Sequence, residues 1–373
     1  MKGMMIMINS VYMPVKCIWG RGCVTENSAD LALGKCCLIV TGKNGAKASG
    51  ALDDAINALE KQGVKYEIFD EIGENPLISA CRKAGEAARK AKADFIVGIG
   101  GGSVLDASKA IAIYASNADL EPIDIYKREY RNAPLPVALI GTTAGTGSEV
   151  TAVAVLTNDE TGVKKSIKGN DCYARVSFSN PKYTESMSYR TTVSTALDAF
   201  AHATEGFFTK RCEGIHKVFA QKCIPALYRG LKALSQAETA DCALRDSLCY
   251  ASIYAGLVIN NCGTGFPHPL GYVLTENYGV PHGMACAAFF APYIDRCAEF
   301  APEKFAEFIE MTADINEVKS VIASLTDLEG VSIGGEKAKK YALRWQSVIP
   351  GNFTASPGGL TQEEAAQILA LII

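Results

Sequence analysis

Short apolar runs alternate with amphipathic segments through the first half of the chain. The runs predict strands at 35–41, 64–69, 94–99 and 136–141. Apolar residues spaced by three and four positions predict helices at 51–62, 78–92 and 103–115. Strands that alternate with helices are typical of a parallel, doubly wound α/β sheet. Ligands of such sheets bind in loops beyond the carboxyl ends of the strands.

The second half has a different pattern, rich in Ala and Leu. It predicts long helices at 191–208, 213–234, 242–260 and 283–299. We therefore expect an α/β domain over 1–183 and an all-α domain over 184–373, with the boundary near Pro181. At the start, the apolar run from Met4 to Ile8 is too short for a signal peptide and predicts a first strand.

Composition narrows the class of protein. The net charge is -3, with both signs interspersed, so nucleic acid is not an expected partner. Because uninterrupted apolar stretches are all far shorter than eighteen residues, we expect no membrane span. The thirteen cysteines include no CxxC pair and fall partly in apolar runs. We therefore interpret these cysteines as reduced thiols of a cytoplasmic protein.

A glycine-rich turn follows the predicted strand 94–99. Gly100, Gly101, Gly102 and Ser103 lead into a helix that carries Asp106. Glycines admit close approach of backbone N–H groups, and a helix N-terminus attracts anions, so this turn is a candidate pyrophosphate site. The turn departs from a GxGxxG fingerprint and is equally explained as a tight connection.

A hydroxyl-rich loop follows the predicted strand 136–141. It holds Thr142, Thr143 and Thr146, whose hydroxyls can contact phosphate, ribose or a nicotinamide amide. The alternative is a loop that caps the next element. Two such loops at strand ends of one sheet favour dinucleotide binding.

Only four histidines occur, and one is paired with an acid on a predicted helix. Asp198 and His202 lie four residues apart, on one face of a segment with apolar neighbours. Burial of this carboxylate needs compensation, which a divalent cation supplies. An internal Asp–His hydrogen bond is the alternative. The nearby Glu205 is expected to pack or cap rather than to support a metal ligand.

Two further histidines stand beside prolines, which stiffen the backbone. They are His268 and His282. Three imidazoles and one carboxylate make a shell suited to Zn²⁺ or Fe²⁺. The remaining His216 follows a predicted helix start beside Lys217 and is expected at the surface.

Four segments in this order resemble the iron-containing (group III) alcohol dehydrogenase family. They are GIGGGSVLDASKA at 98–110, TTAGTGSEVT at 142–151, ALDAFAHATEGF at 196–207 and HPLGYVLTENYGVPHG at 268–283. The resemblance implies a dehydroquinate synthase-like fold, with an α/β dinucleotide domain, a helical domain, a metal in the cleft and a homo-oligomer. It also implies oxidation of a small alcohol, or reduction of an aldehyde, with NADP or NAD and Fe²⁺, Zn²⁺ being possible.

The resemblance assigns residues as well. The implied metal ligands are Asp198, His202, His268 and His282, and the implied cofactor contacts are Gly100 to Ser103, Asp106, Thr142, Thr143, Thr146 and Lys165. Tyr272 stands where many members have a further active-site histidine; its hydroxyl is a candidate catalytic group but a poorer base.

The turn after the first dinucleotide-binding strand also departs from the family. Members that prefer NAD place an acid there, whereas this chain has Gly42 and Lys43. Gly42 leaves room for a 2′-phosphate and Lys43 offers charge, so NADP is expected to be accepted and even preferred. Two alternatives to the dehydrogenase stay open: a metal- and NAD-dependent lyase of the dehydroquinate synthase type, and a catalytically idle relative that only binds nucleotide and metal.

Overall fold

A six-stranded parallel sheet forms the centre of the first half of the chain. The computed structural model describes residues 10–372, so the strand expected at Met4 to Ile8 lies outside the described residues. The strands are β1 Lys16–Trp19, β2 Cys36–Thr41, β3 Lys65–Phe69, β4 Phe95–Gly100, β5 Val137–Gly141, β6 Val153–Thr157, β7 Lys164–Lys168 and β8 Val176–Ser179. The sheet order is β1-β8-β5-β4-β2-β3, and β6 pairs antiparallel with β7 as a separate hairpin.

Helices cover both faces of this sheet. They are α1 Cys23–Glu26, α2 Ser28–Leu31, α3 Gly45–Ala48, α4 Ala51–Lys61, α5 Ile78–Lys90 and α6 Gly102–Ser116. Successive side chains of β2 point to opposite sides: Leu38 and Val40 pack with α5 and α6, whereas Cys37 and Ile39 pack with α1 to α4. The doubly wound α/β prediction is confirmed, and β2 to β5 match the four predicted strands.

The second half is helical throughout the described residues. Its helices are α7 Tyr189–Phe208, α8 Ile215–Gln236, α9 Cys242–Cys262, α10 Pro267–Tyr278, α11 His282–Ala287, α12 Phe290–Phe300, α13 Pro302–Met311, α14 Ile315–Leu325, α15 Gly335–Val348, α16 Pro350–Ala355 and α17 Gln362–Ala370. Short 3-10 turns lie at Pro122–Lys127, Ser148–Val150, Asn170–Cys172 and Pro181–Thr184. The division at 183/184 stays a prediction.

The prediction of a single helix over 283–299 is wrong, because the structure has two helices there, α11 and α12, separated by residues 288–289. Pro292 lies in the first turn of α12. Its ring has no N–H to donate and crowds the carbonyl of residue 288, which disfavours a continuous helix there. Of the helices in the described range, only α9 has the length and apolar composition to cross a bilayer, and half of it is buried inside the protein.

A buried lysine joins α6 to the loop that follows β5. The Lys109 ammonium donates to Ser148 Oγ at 2.8 Å, to the Thr151 carbonyl at 3.1 Å and to the Val153 carbonyl at 2.7 Å. The same Ser148 hydroxyl donates to Asp106 Oδ1 at 2.5 Å. Burial lowers the pKa of Lys109, and the Asp106 carboxylate opposes that change. This network sets the position of the β5 loop against α6.

Replacing this lysine tests the network. We expect Lys109→Met to lower the free energy of unfolding by about 3 kcal/mol, because it leaves the half-buried Asp106 carboxylate, 15% exposed, without its cation. Urea denaturation measures the change. The matched control is Lys83→Met, since Lys83 pairs with Glu71 at an exposed site and should contribute less than about 1 kcal/mol. Equal effects of the two substitutions would contradict a stabilising role for Lys109.

Candidate active site

One face of α7 carries the acidic and imidazole groups of the site. The helix begins after Ser188, whose side chain accepts a hydrogen bond from the Thr191 N–H. Asp198, His202 and Glu205 follow at spacings of four and three, so they lie on one face. All three are buried. The apolar remainder of α7 packs against α8 and α9, which directs this face inward.

Helices α10 and α11 bring the other two histidines to α7. His268 lies in the first turn of α10, directly after Pro267, and His282 is the first residue of α11, directly after Pro281. Gly283 explains how closely α11 approaches: a Cβ there would lie 1.8 Å from the Ser194 carbonyl oxygen. Only glycine permits this contact.

Three imidazole nitrogens surround one carboxylate oxygen. Asp198 Oδ1 lies 3.6 Å from His202 Nε2, 3.9 Å from His268 Nε2 and 3.8 Å from His282 Nε2. Among the described residues, Asp198 Oδ1 and His268 Nε2 are buried without a hydrogen-bond partner. Unpaired buried acceptors are costly, and a divalent cation would satisfy both. The four side chains named from the sequence are therefore brought together, and this donor set fits a metal ion.

Glu205 orients one of these imidazoles. Its Oε1 lies 2.8 Å from His268 Nδ1, and its Oε2 accepts the Gly265 N–H at 2.8 Å. A proton on Nδ1 leaves the Nε2 lone pair aimed at Asp198 and the other histidines. The predicted packing or capping role of Glu205 therefore does not account for its contact with His268. The signal in the sequence was its position seven residues after Asp198, on the same helical face.

The electrostatics of Asp198, His202 and His282 favour the protonation states that metal binding needs. Burial lowers the pKa of His202 to about 4 and that of His282 to about 3. Burial opposes ionisation of Asp198, but the imidazoles and Lys164 hold its pKa below its ordinary value. Burial would also lower the pKa of His268, yet Glu205 raises it overall. At neutral pH, His202 and His282 are therefore neutral imidazoles and Asp198 is a carboxylate, which are the forms that bind a metal ion.

Tyr272 lies beside the histidines, although not in the role of a base. Its ring stacks on His282, with centroids 5.3 Å apart and planes 12° apart. Lys164 Nζ lies 5.4 Å from the Tyr272 ring centroid. Burial raises the pKa of the Tyr272 hydroxyl, so it keeps its proton near neutral pH.

The lysine that faces the cleft is Lys164 rather than the predicted Lys165. Lys164 is buried on β7 and lines the cleft next to Tyr272, whereas Lys165 Nζ lies over the Tyr126 ring, 5.0 Å from its centroid. Successive strand residues point to opposite faces, so a shift of one position changes which lysine points inward.

A cleft of about 940 Å³ connects the metal-ligand candidates to the carboxyl edge of the sheet. Besides the histidines, Tyr272 and Lys164, its lining includes all the other predicted cofactor contacts: Gly42, Lys43, Gly100, Gly101, Gly102, Ser103, Asp106, Thr142, Thr143 and Thr146. The volume lies within the range of small-molecule sites. Among the described residues, no side chain caps the N-terminus of α6, which leaves N–H groups there for an anion.

The two loops of the sheet edge fit closely against each other. A Cβ on Gly102 would lie 2.4 Å from Thr146 Cγ2, and one on Gly101 would lie 3.0 Å from Thr143 Cγ2. Loop packing therefore requires glycine at 102 and leaves little room for a side chain at 101. Asp106 is already engaged, because its Oδ2 accepts the Val155 N–H at 2.8 Å and Oδ1 accepts from Ser148. Its place in the cleft wall is held by these contacts.

Two other side chains differ from expectation. His216 is buried, and its ring nitrogens lie 2.9 Å from the Arg211 carbonyl and 3.2 Å from the Ser10 carbonyl, so the surface prediction is wrong. Cys286 lies beside the histidines, a position that the sequence reasoning missed. Its signal was the spacing of four residues after His282, on one helical face. Within residues 10–372 all thirteen cysteines are free thiols, as expected.

The chain matches known sequence families over most of its length. Residues 14–181 match the family described as iron-containing alcohol dehydrogenase. Residues 192–332 match the C-terminal part of the Fe-containing alcohol dehydrogenase family. The two matches fall on the sheet half and the helical half, respectively.

Individual proteins give the same result. 1,3-propanediol dehydrogenase of Klebsiella pneumoniae is 31% identical over 367 residues, covering 92% of this chain and 93% of that protein. An iron-containing alcohol dehydrogenase of Thermotoga maritima has a TM-score of 0.89 at 33% identity, covering 98% of this chain and 99% of that one. Sulfoacetaldehyde reductase of Bifidobacterium kashiwanohense, solved in complex with NAD+, has a TM-score of 0.86 at 25% identity, covering 98% and 99%.

The contact between Glu205 and His268 generates a prediction. We expect Glu205→Gln to weaken metal binding about 10- to 100-fold, because the amide supports the His268 ring less strongly than a carboxylate. Competition with a metal-sensitive chelator measures the affinity. Glu317→Gln is the control, since Glu317 pairs with Lys232 at an exposed site on α14. An unchanged affinity in the Glu205 variant would show that its bond to His268 serves packing alone.

Proposed function

This chain belongs to the iron-containing alcohol dehydrogenase family, and we propose that it is a metal-dependent, NAD(P)-linked oxidoreductase that interconverts a small alcohol and its aldehyde. The observation that carries the proposal is the convergence of three imidazole nitrogens on Asp198 Oδ1 at one end of the cleft. The uncapped start of α6 lines the same cleft. The NAD+ complex of the Bifidobacterium reductase supports a dinucleotide as the second ligand.

Within this proposal each part of the chain has a distinct task. Asp198, His202, His268 and His282 hold a divalent ion, Fe²⁺ or Zn²⁺, which supplies a Lewis acid for the substrate oxygen. The loops at Gly100 to Ser103 and Thr142 to Thr146 hold and orient a nicotinamide dinucleotide, which carries the hydride. Residues 1–183 and 184–373 would be the domains on either side of the cleft.

Tyr272 and Lys164 line the cleft next to the candidate metal ligands. The Tyr272 ring stacks on one side of His282 and forms part of the cleft wall. Because burial keeps the Tyr272 hydroxyl protonated, this hydroxyl acts as a hydrogen-bond donor. Lys164 lies against the same ring and adds positive charge to this end of the cleft. A substrate oxygen that gains negative charge is stabilised by both groups.

Metal reconstitution tests the proposed reaction. Metal-stripped protein is loaded with Fe²⁺ or Zn²⁺ and assayed for oxidation of NADPH and NADH with a panel of short aldehydes. We expect activity to return with metal and to fall at least about 100-fold in His268→Ala. His216→Gln is the matched control, because this imidazole contacts the backbone carbonyls of Arg211 and Ser10 and does not line the cleft.

Other results would redirect the assignment. Bound metal with no oxidation of either dinucleotide, across the whole panel, would contradict the dehydrogenase. Turnover without net consumption of NAD(P)H would then indicate a lyase of the dehydroquinate synthase type. Binding of nucleotide and metal without any turnover would indicate an idle relative.

The turn after β2 supports NADP as the preferred cofactor. Gly42 and the exposed Lys43 line the cleft directly beyond the carboxyl end of β2. A cationic side chain at this position suits a 2′-phosphate, whereas an acid would bind the free ribose hydroxyls. Glu71 also lines the cleft, but its carboxylate is paired with Lys83 at 2.5 Å.

Substitution of Lys43 tests the cofactor preference. We expect Lys43→Ala to lower kcat/KM for NADPH about tenfold through loss of a charge-assisted contact, and to leave kcat/KM for NADH nearly unchanged. Lys47→Ala is the control, because Lys47 is exposed on the neighbouring α3 and does not line the cleft. A strong preference of the unmodified enzyme for NADH would overturn the assignment.

A further inference from the structure

A cysteine thiol lies beside the candidate metal ligands. Cys286 is one helical turn after His282 on α11 and is 1% exposed. Its Sγ lies 3.8 Å from His282 Nε2 and 3.9 Å from His282 Nδ1. On the neighbouring helix α10, a Cβ at Gly271 would lie 2.9 Å from this sulfur. The absence of a side chain at Gly271 leaves the space that the thiol occupies.

The sulfur belongs to a compact group of possible ligand atoms. One donor atom each from Asp198, His268, His282 and Cys286 all lie within 4.8 Å of one another. Two of these side chains have buried atoms without partners among the described residues, namely Asp198 Oδ1 and His268 Nε2. Donors of one tetrahedral ion, at 2.0 to 2.3 Å from it, are separated by roughly 3.3 to 3.8 Å. Small side-chain adjustments therefore bring all four onto one ion.

His202 lies on the other ligand helix and is part of the proposed centre as well. His202 Nε2 lies 3.6 Å from Asp198 Oδ1, but His202 is not in the compact group. Its ring stacks on His268, with centroids 4.7 Å apart and planes 18° apart. Asp198, His268 and His282 are common to both donor sets, so a bond to Cys286 Sγ would add a fifth donor to the four ligands of the proposed centre.

We propose that Cys286 is a sulfur ligand of the metal ion in this chain. The inference rests on the proposed metal centre and adds to it a donor that three histidines and an aspartate lack. The bond forms between Sγ and the metal as the thiol proton is released to solvent. Because thiolate is a soft ligand, it favours Zn²⁺ and Co²⁺ over oxygen-preferring ions such as Mg²⁺ and Mn²⁺.

Cobalt substitution provides the test. The full-length protein is stripped of metal and loaded with Co²⁺, and its near-ultraviolet absorption is recorded together with the cobalt content. We expect an intense sulfur-to-cobalt charge-transfer band in the unmodified protein and in Cys242→Ala, whose thiol is exposed at the start of α9. The band should be lost in Cys286→Ala while one cobalt ion stays bound.

The outcomes separate this inference from the metal centre itself. Cobalt bound without the band, or a band that survives in Cys286→Ala, overturns the sulfur ligand and leaves the metal centre intact. Failure of the unmodified protein to bind cobalt overturns both. Should Cys286→Ala not fold, X-ray absorption of the unmodified zinc-loaded protein decides: a shell at about 2.3 Å supports sulfur, and only shells at about 2.0 to 2.2 Å contradict it.

Discussion

The helical half is built around a buried carboxylate, whose burial in an apolar core is unfavourable unless a cation binds it. Asp198 is buried on α7, between the apolar residues Leu197 and Ala199. The free energy of burying an unpaired charge is several kcal/mol even after relaxation. Helices α7, α10 and α11 meet so that three imidazole nitrogens surround this oxygen. A bound metal ion would convert this costly arrangement into a stable one, since its binding energy would contribute to folding.

Close backbone contacts make that arrangement possible. Gly283 lets α11 touch α7 at the Ser194 carbonyl, and Gly271 leaves space for Cys286 between α10 and α11. The ring of His268 is then held from behind by Glu205. His268 is thus positioned by a carboxylate on a different helix, which limits how far its Nε2 can move.

The sheet half also contains a buried charged side chain, in this case a cation. Lys109 is buried, and its ammonium is fully engaged by the loop after β5 and by Asp106 nearby. This network and the contacts of Gly101 and Gly102 with the threonine loop give the cleft a preorganised wall. A preformed wall reduces the conformational entropy that the protein itself would lose when a dinucleotide binds. The two halves therefore present rigid surfaces to either end of one cleft.

The sequence by itself determined the features that depend on local spacing. Alternating strands and helices predicted the doubly wound sheet, and the four-residue interval from Asp198 to His202 predicted a shared helical face. Tertiary structure alone decided which groups meet across elements. The strand phase put Lys164 rather than Lys165 on the cleft, and packing of α10 on α7 joined Glu205 to His268. The burial of His216 and the place of Cys286 likewise depend on contacts between segments distant in sequence, whose distances chain spacing does not encode.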